Sequence, residues 1–234
     1  MSTNSSRSAK DRALYPLVSV DVALCSLVDG KLKVLLVRRD NEPQRGRWAL
    51  PGGVLDPGRD ADLERTARRV LREKTDVGDV PYLEQVRVFS GRERDPRGWS
   101  LSVLFCALLP LDQVPAHAGR KVAEVAWRDA GQPGGGLAFD HARHVAAALA
   151  LLRDTVGGRA LPLHLLRDAF TLTELQRAVE AILGTTVEKS AFRRRLRDDP
   201  SLEPIEGAFH GGAQRPAQLY RAAPGFSFEK PLRS

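Results

Sequence analysis

Two short stretches of this 234-residue chain concentrate side chains that could do chemistry. The first, residues 46–77, reads GRWALPGGVLDPGRDADLERTARRVLREKTDV. From Arg59 to Lys74 six cations (Arg59, Arg65, Arg68, Arg69, Arg72, Lys74) accompany four acids (Asp60, Asp62, Glu64, Glu73). Carboxylates three or four residues apart share one face of a helix and can hold Mg²⁺ through oxygen. With cations in excess, the segment is a poor cage for Mg²⁺ but an acceptable neighbour for a diphosphate. Gly52 and Gly53 just before it let a backbone come close to another group. Arg38 and Arg39 end a strand-like run upstream, where guanidinium forks can grip phosphate oxygens two at a time.

The second stretch, residues 188–197, reads EKSAFRRRLR. Wound as a helix, it puts Phe192 and Leu196 on one side and Ser190, Arg193, Arg194 and Arg197 on the other. That division suits a recognition helix, apolar where it docks and cationic towards phosphates and base edges. Arginine serves guanine and phosphate equally, so no base is assigned. His141 and His144 lie three apart on a helix-like stretch; with no carboxylate motif beside them, they are expected on a helix surface or at an interface.

Regular structure has to position these groups. Val- and Leu-rich runs at 17–28 and 32–38 flank Asp29-Gly30, a two-residue hairpin signal. The spacing of Leu63, Ala67, Val70 and Leu71 predicts a helix over 62–74. Strands are expected at 82–89, 99–109 and 121–127, and a helix at 140–152. Cys25 and Cys106 fall in apolar strands and read as small buried hydrophobes. Gly157-Gly158 is a plausible hinge. Beyond it come a short helix at 161–166 and a capping box, Thr171 to Glu174, that opens a helix closed by Gly184. The helix at 188–197 follows. Two short strands, 202–206 and 218–221, then flank a Gly-rich tip at His210-Gly211-Gly212. Three helices and a hairpin outline a winged helix-turn-helix.

Residues 46–77 resemble the Nudix box, G-x5-E-x7-R-E-U-x-E-E-x-G-U with U apolar. Trp48 and Pro51-Gly52-Gly53 fit the same family. Arg69 takes the motif's Arg position; its three following acidic positions fall at Val70, Glu73 and Lys74. The upstream loop is two residues longer than the motif, leaving Asp60 and Asp62 near the first Glu, and Asp76 stands at the late Gly. The chain from Val18 to Arg221 also resembles the NrtR-like regulators of NAD metabolism, through LKVLLVRRDNEPQRGRWALPGG, LAFDHAR, FTLTELQRAVEAILG and RPAQLYR.

This resemblance implies an α+β chain in three parts. Residues 1–14 form a flexible basic arm, 15–156 an N-terminal Nudix α/β/α sandwich that senses an effector, and 159–234 a C-terminal winged helix. It further implies a cytoplasmic, nucleoid-associated homodimeric repressor on palindromic double-stranded operators of NAD synthesis and salvage genes. ADP-ribose or a related nucleotide would be the effector. Arg38, Arg39, Gly52, Gly53, Arg69 and Glu73 are the expected ligand residues. No catalytic residue and no required cofactor are expected; Glu73 is a remnant, and Mg²⁺ would bind there weakly and only if hydrolysis persisted. Thr173, Lys189, Ser190, Arg193, Arg194, Arg197 and Arg215 are expected on DNA.

Composition agrees with these classes without selecting among them. The formal charge is +7 and the isoelectric point about 9.8, which favours an acidic partner. Two cysteines exclude a disulfide framework. The polar N-terminus carries no apolar leader, and the longest apolar stretch, near 101–110, is about half a membrane span. Two other functions remain open at this level. One is a Mg²⁺-dependent Nudix pyrophosphohydrolase acting on ADP-ribose-type diphosphates. The other is a protein that uses the basic helix on RNA or as a scaffold.

Overall fold

The computed structural model describes residues 15–115, 119, 121–156, 160–197, 199–211, 216–224 and 226. The expected basic arm, the Gly157-Gly158 hinge and Arg215 lie outside the described residues.

The N-terminal part is a mixed sheet between two helices. Strand β1 (Leu17–Val28) turns through Asp29 and Gly30, both at positive φ, into β2 (Lys31–Arg39), as the hairpin signal predicts. Two short strands, β3 (Trp48–Ala49) and β4 (Gly52–Val54), pair with β2 and β1 respectively. Helix α1 spans Leu63–Thr75, and a long hairpin of β5 (Tyr82–Asp95) and β6 (Gly98–Leu108) follows. Strand β6 runs parallel to β1, β5 forms the edge beyond it, and β7 (Val122–Asp129) pairs with β2. Helix α2 spans His141–Thr155.

The two-residue period of β1 assigns its side chains to the two helices. Val20, Val22 and Leu24 pack with Ala67, Val70 and Leu71 of α1. Ala23 and Cys25 face the other way, into a cluster with Val145, Ala148 and Leu152 of α2. Cys25 and Cys106 are both buried there as free thiols. Hydrogen bonding to Cys25, with burial added, raises the Cys106 pKa well above the usual thiol value. Each fully buried Val or Leu in these layers contributes roughly 1.5–3 kcal/mol.

Helix α1 starts at Asp62, whose carboxylate accepts the Arg65 N–H at 2.7 Å. It ends at Asp76, in left-handed conformation with φ 58°. This is the conformation for which the motif's late glycine is suited, and aspartate is among the few other residues that adopt it readily.

The C-terminal part opens with a 3-10 turn at Leu161–Leu165, then α3 (Leu172–Leu183), α4 (Lys189–Arg197), β8 (Leu202–His210) and β9 (Ala217–Ala222). The expected capping box is present in both directions: Glu174 N–H donates to Thr171 Oγ1 and Thr171 N–H to Glu174 Oε2. Gly184 closes α3 at φ 72°. The strands run beyond the expected 202–206 and 218–221 because Gln218 stitches an irregular register, donating from Nε2 to Ile205 O and Ala208 O. Phe170 bridges to Tyr220 and ties the hairpin to the start of α3. The hydrophobic cluster under α2 continues without a break through Leu165, Leu175, Ile182, Phe192 and Leu202.

Candidate functional site

A cleft of about 500 Å³ opens where β4, the loop before α1, α1 itself and the β5–β6 turn converge. It gathers five of the six expected ligand residues: Arg39, Gly52, Gly53, Arg69 and Glu73. Arg38 is not among them. It is the alternate residue on β2, and it donates instead to Gly46 O and pairs with Glu124 at 3.5 Å.

The two glycines approach protein groups. A Cβ on Gly52 would sit 2.1 Å from Asp21 Oδ1, and one on Gly53 would sit 2.8 Å from Val70 of α1. They let β4 lie against β1 and the helix, which shapes the cleft wall.

The charges of α1 are spent on one another. The Asp60 side chain, 1% exposed, takes both Nε and a terminal nitrogen of Arg69 at 2.7 and 2.6 Å. Hydrogen bonding from Arg69 drives the Asp60 pKa far below the usual carboxylate range. Arg69 also donates to Val54 O, so the pair staples loop, β4 and helix together. The two oxygens of Glu73 meet Arg59 at 2.6 Å and Arg69 at 3.4 Å. Val70 is buried and Lys74 lines the cleft. Mg²⁺ needs several oxygen ligands or phosphates with little competing positive charge. Here α1 offers the cleft one carboxylate already held by two guanidinium groups, and the helix that carries the motif does not fit the ion. Asp62, expected near the motif's first Glu, is the helix cap.

Sequence reasoning missed the opposite wall. Strand β5 runs on to Asp95, six residues past its expected end, because the charged segment 92–95 reads as loop although it is strand. That extension brings Arg94, Asp95 and Arg97 to the cleft. Arg94 grips Asp140, the residue before α2, with two bonds of 2.8 and 2.7 Å. Burial opposes ionisation of Asp140, but hydrogen bonds from His144 and Arg94 hold its pKa well below the usual range. Arg97 likewise forks onto Asp95.

The histidines correct an expectation. His141 and His144 are buried, 4% and 0% exposed, because the first turn of α2 faces the sheet over Asp21 of β1. Asp21 accepts from Ser102 Oγ at 2.5 Å and lies 3.6 Å from His141 Nε2 and 3.5 Å from His144 Nδ1. Three such groups resemble a metal triad. However, Leu50 N–H donates to His141 Nδ1 at 2.8 Å, which puts the proton of the neutral ring on Nε2. A protonated nitrogen cannot ligate, so the cluster reads as a buried polar support under the cleft, tied to its surroundings by Ser102 and the Leu50 N–H. Burial lowers the His141 pKa to about 4 and keeps the ring neutral.

The second site is the exposed face of α4. Phe192 and Leu196 are 2% and 4% exposed and dock on the core. Ser190, Arg193, Arg194 and Arg197 are exposed, as the helical wheel requires, and Lys189 is exposed as well. Arg193 reaches Thr173 in the first turn of α3 at 3.4 Å. Gln176 Nε2 donates to Val187 O, and Glu180 accepts the Val187 N–H, which fixes the turn between the two helices. Glu188 accepts the N–H groups of Ser190 and Ala191 and caps α4.

Comparison with known proteins matches this division. The NUDIX domain family matches residues 18–152, and the NrtR DNA-binding winged helix domain matches 162–222. The "ADPR responsive transcriptional repressor NtrR" of Acinetobacter baylyi is 42% identical over 214 residues, covering 89% of this chain and 82% of that protein. Shewanella oneidensis NrtR, in a crystal structure with a 27mer DNA, superposes with a TM-score of 0.80 at 35% identity, covering 92% of this chain and 98% of that one. The NUDIX domain of the same protein, in a cocrystal with ADP ribose, gives 0.53 at 37% identity over 63% of this chain and 94% of that one. Similarity thus runs through the cleft-bearing sandwich and the winged helix together, and the chain belongs to the NrtR family of Nudix and winged-helix transcriptional regulators.

Proposed function

We propose that this protein is a transcriptional repressor of NAD synthesis or salvage genes that binds operator DNA through α4. It reads ADP-ribose, or a related NAD-derived nucleotide, in the cleft. The observation that carries this reading is the pair of cationic surfaces on one chain. One is a walled cleft whose remnant Nudix carboxylate is already neutralised by Arg59 and Arg69. The other is an open helical face bearing Lys189, Arg193, Arg194 and Arg197. The first suits a diphosphate without Mg²⁺, and the second suits a DNA backbone and major groove. Thr173, beside Arg193, and Ser190 would add polar contacts, and Arg215 would act from the hairpin.

The protein acts as a homodimer, two winged helices meeting the half-sites of one palindrome, since operator symmetry mirrors protein symmetry. Nucleotide can alter DNA affinity only by binding the DNA-competent and incompetent arrangements unequally. Preference for the incompetent one derepresses the genes.

Band-shift titration tests this with promoter duplexes of NAD-synthesis genes against scrambled duplex, with and without ADP-ribose, NAD and Mg²⁺. The expected result is tighter binding to promoter DNA and a shift on adding ADP-ribose without metal. Equal affinity for both duplexes overturns the repressor reading. Rapid Mg²⁺-dependent turnover of ADP-ribose, lost in Glu73→Gln, restores the hydrolase instead.

A further inference from the structure

Half of the residues lining the cleft are charged, yet one bulky aromatic faces it in a costly backbone conformation. Phe139 has φ 52°. A left-handed backbone is rare for a large side chain and persists only where surrounding contacts enforce it. Here the enforcement is visible. Phe139 N–H donates to Gln44 Oε1 at 2.9 Å, and Gln44 is itself at φ 62°. On either side, Ala138 N–H donates to Trp48 O at 2.7 Å and His141 N–H to Ala138 O at 3.1 Å. The ring is only partly buried: part of it packs against the small cluster of Val37, Ala49 and Ala138, and part lines the cleft.

The ring is also furnished on one side. The Arg39 guanidinium lies over it, 4.9 Å from its centroid, held by Pro43 O at 3.0 Å and Asn41 O at 3.4 Å. Phe139 and His141 are the aromatic rings among the cleft-lining residues, and His141 is 4% exposed with its ring nitrogens engaged below. A nucleotide bound here has cations for its phosphates; its base needs a flat apolar surface, and Phe139 with Arg39 supplies one.

We infer that Phe139, backed by Arg39, is the stacking platform for the nucleobase of the effector and sets its selectivity for an aromatic base. This rests on the nucleotide-sensing role proposed above and assigns the base to one place in the cleft.

The test compares the unaltered full chain with Phe139→Leu and Phe139→Trp. Leucine bears the same backbone strain as phenylalanine, and Trp keeps an aromatic face. ADP-ribose affinity is measured by calorimetry, and the adenine H2 and H8 proton resonances are followed on binding. The expected result is an upfield ring-current shift with the unaltered protein and with Phe139→Trp. Phe139→Leu is expected to lose that shift and to bind about 5- to 150-fold more weakly, the range of a single base–aromatic stack. A shift that persists in Phe139→Leu, unchanged affinity in that variant, or loss of both signals in Phe139→Trp overturns the platform while leaving the sensing role standing. No ADP-ribose binding by the unaltered protein overturns the sensing role and the platform with it.

Discussion

Arginines dominate both the cleft and the outer face of α4, but the two sets are held in opposite ways. In the cleft Arg69, Arg94 and Arg97 each fork onto a carboxylate of the same chain, Asp60, Asp140 and Asp95. On the outer face of α4, Lys189, Arg193, Arg194 and Arg197 stand exposed. A guanidinium already fixed by its neighbour meets a ligand with its direction set, little side-chain freedom left to lose, and little screening by salt. An exposed arginine gains mainly by releasing counterions from a polyanion, so its contribution falls steeply with salt. The same residue type is thus suited to a small shaped anion site in one region and to a general grip on a phosphate backbone in the other.

If the cleft pairs are structural, removing one costs stability. Asp60→Asn leaves the largely buried Arg69 with Glu73 as its carboxylate partner, at 3.4 Å, and is expected to cost about 3–5 kcal/mol in denaturant unfolding. A loss under 1 kcal/mol would put the cleft cations in the same class as those of α4. The cleft floor responds next, through pH. His141 titrates near 4 in the fold against 6.5 ordinarily, so the unfolded chain binds the proton first. Its contribution is full above pH 6.5 and is lost as pH falls towards 4, on the order of 3 kcal/mol in all. Asp21, Asp140, His144 and Arg39 face the same ring and set the balance. His141→Gln should flatten stability against pH across that window, and an unchanged slope would assign it elsewhere. The smallest effect belongs to the open face. Arg194→Ala should leave thermal stability unchanged and weaken operator binding by about 1–3 kcal/mol if the side chain forks onto a base. A uniform loss on all duplexes with a shallower salt dependence makes it a phosphate contact instead.

How far the amino-acid order reveals each region follows the same contrast. The α4 face is local, one helical period of residues, and the wheel put Arg193, Arg194 and Arg197 on the side that is exposed. The capping box, the Asp29-Gly30 hairpin and the Phe192–Leu196 seat are equally short-range. The cleft is assembled from distant segments. Arg94 becomes a cleft residue only because β5 continues to Asp95, and Asp21 and Phe139 only because β1 and the start of α2 meet beneath β4. Nothing within a few residues of His141 shows that the first turn of α2 faces a buried carboxylate. Arg38 and Arg39 were separated by strand alternation, which the pattern contains but which needs the neighbouring strands to say which face is which.

Helix α2 touches both regions. Its first turn carries the histidines of the cleft floor, and near its end Arg153 donates to Ile182 O in the last turn of α3. One continuous apolar cluster lies between. The consequence is calorimetric. The sandwich and the winged helix share their interior, so neither can melt and leave the other's core dry. Heating should give one endotherm whose van't Hoff and calorimetric enthalpies agree, and nucleotide that raises the melting temperature of the sandwich should raise that of the winged helix by the same amount.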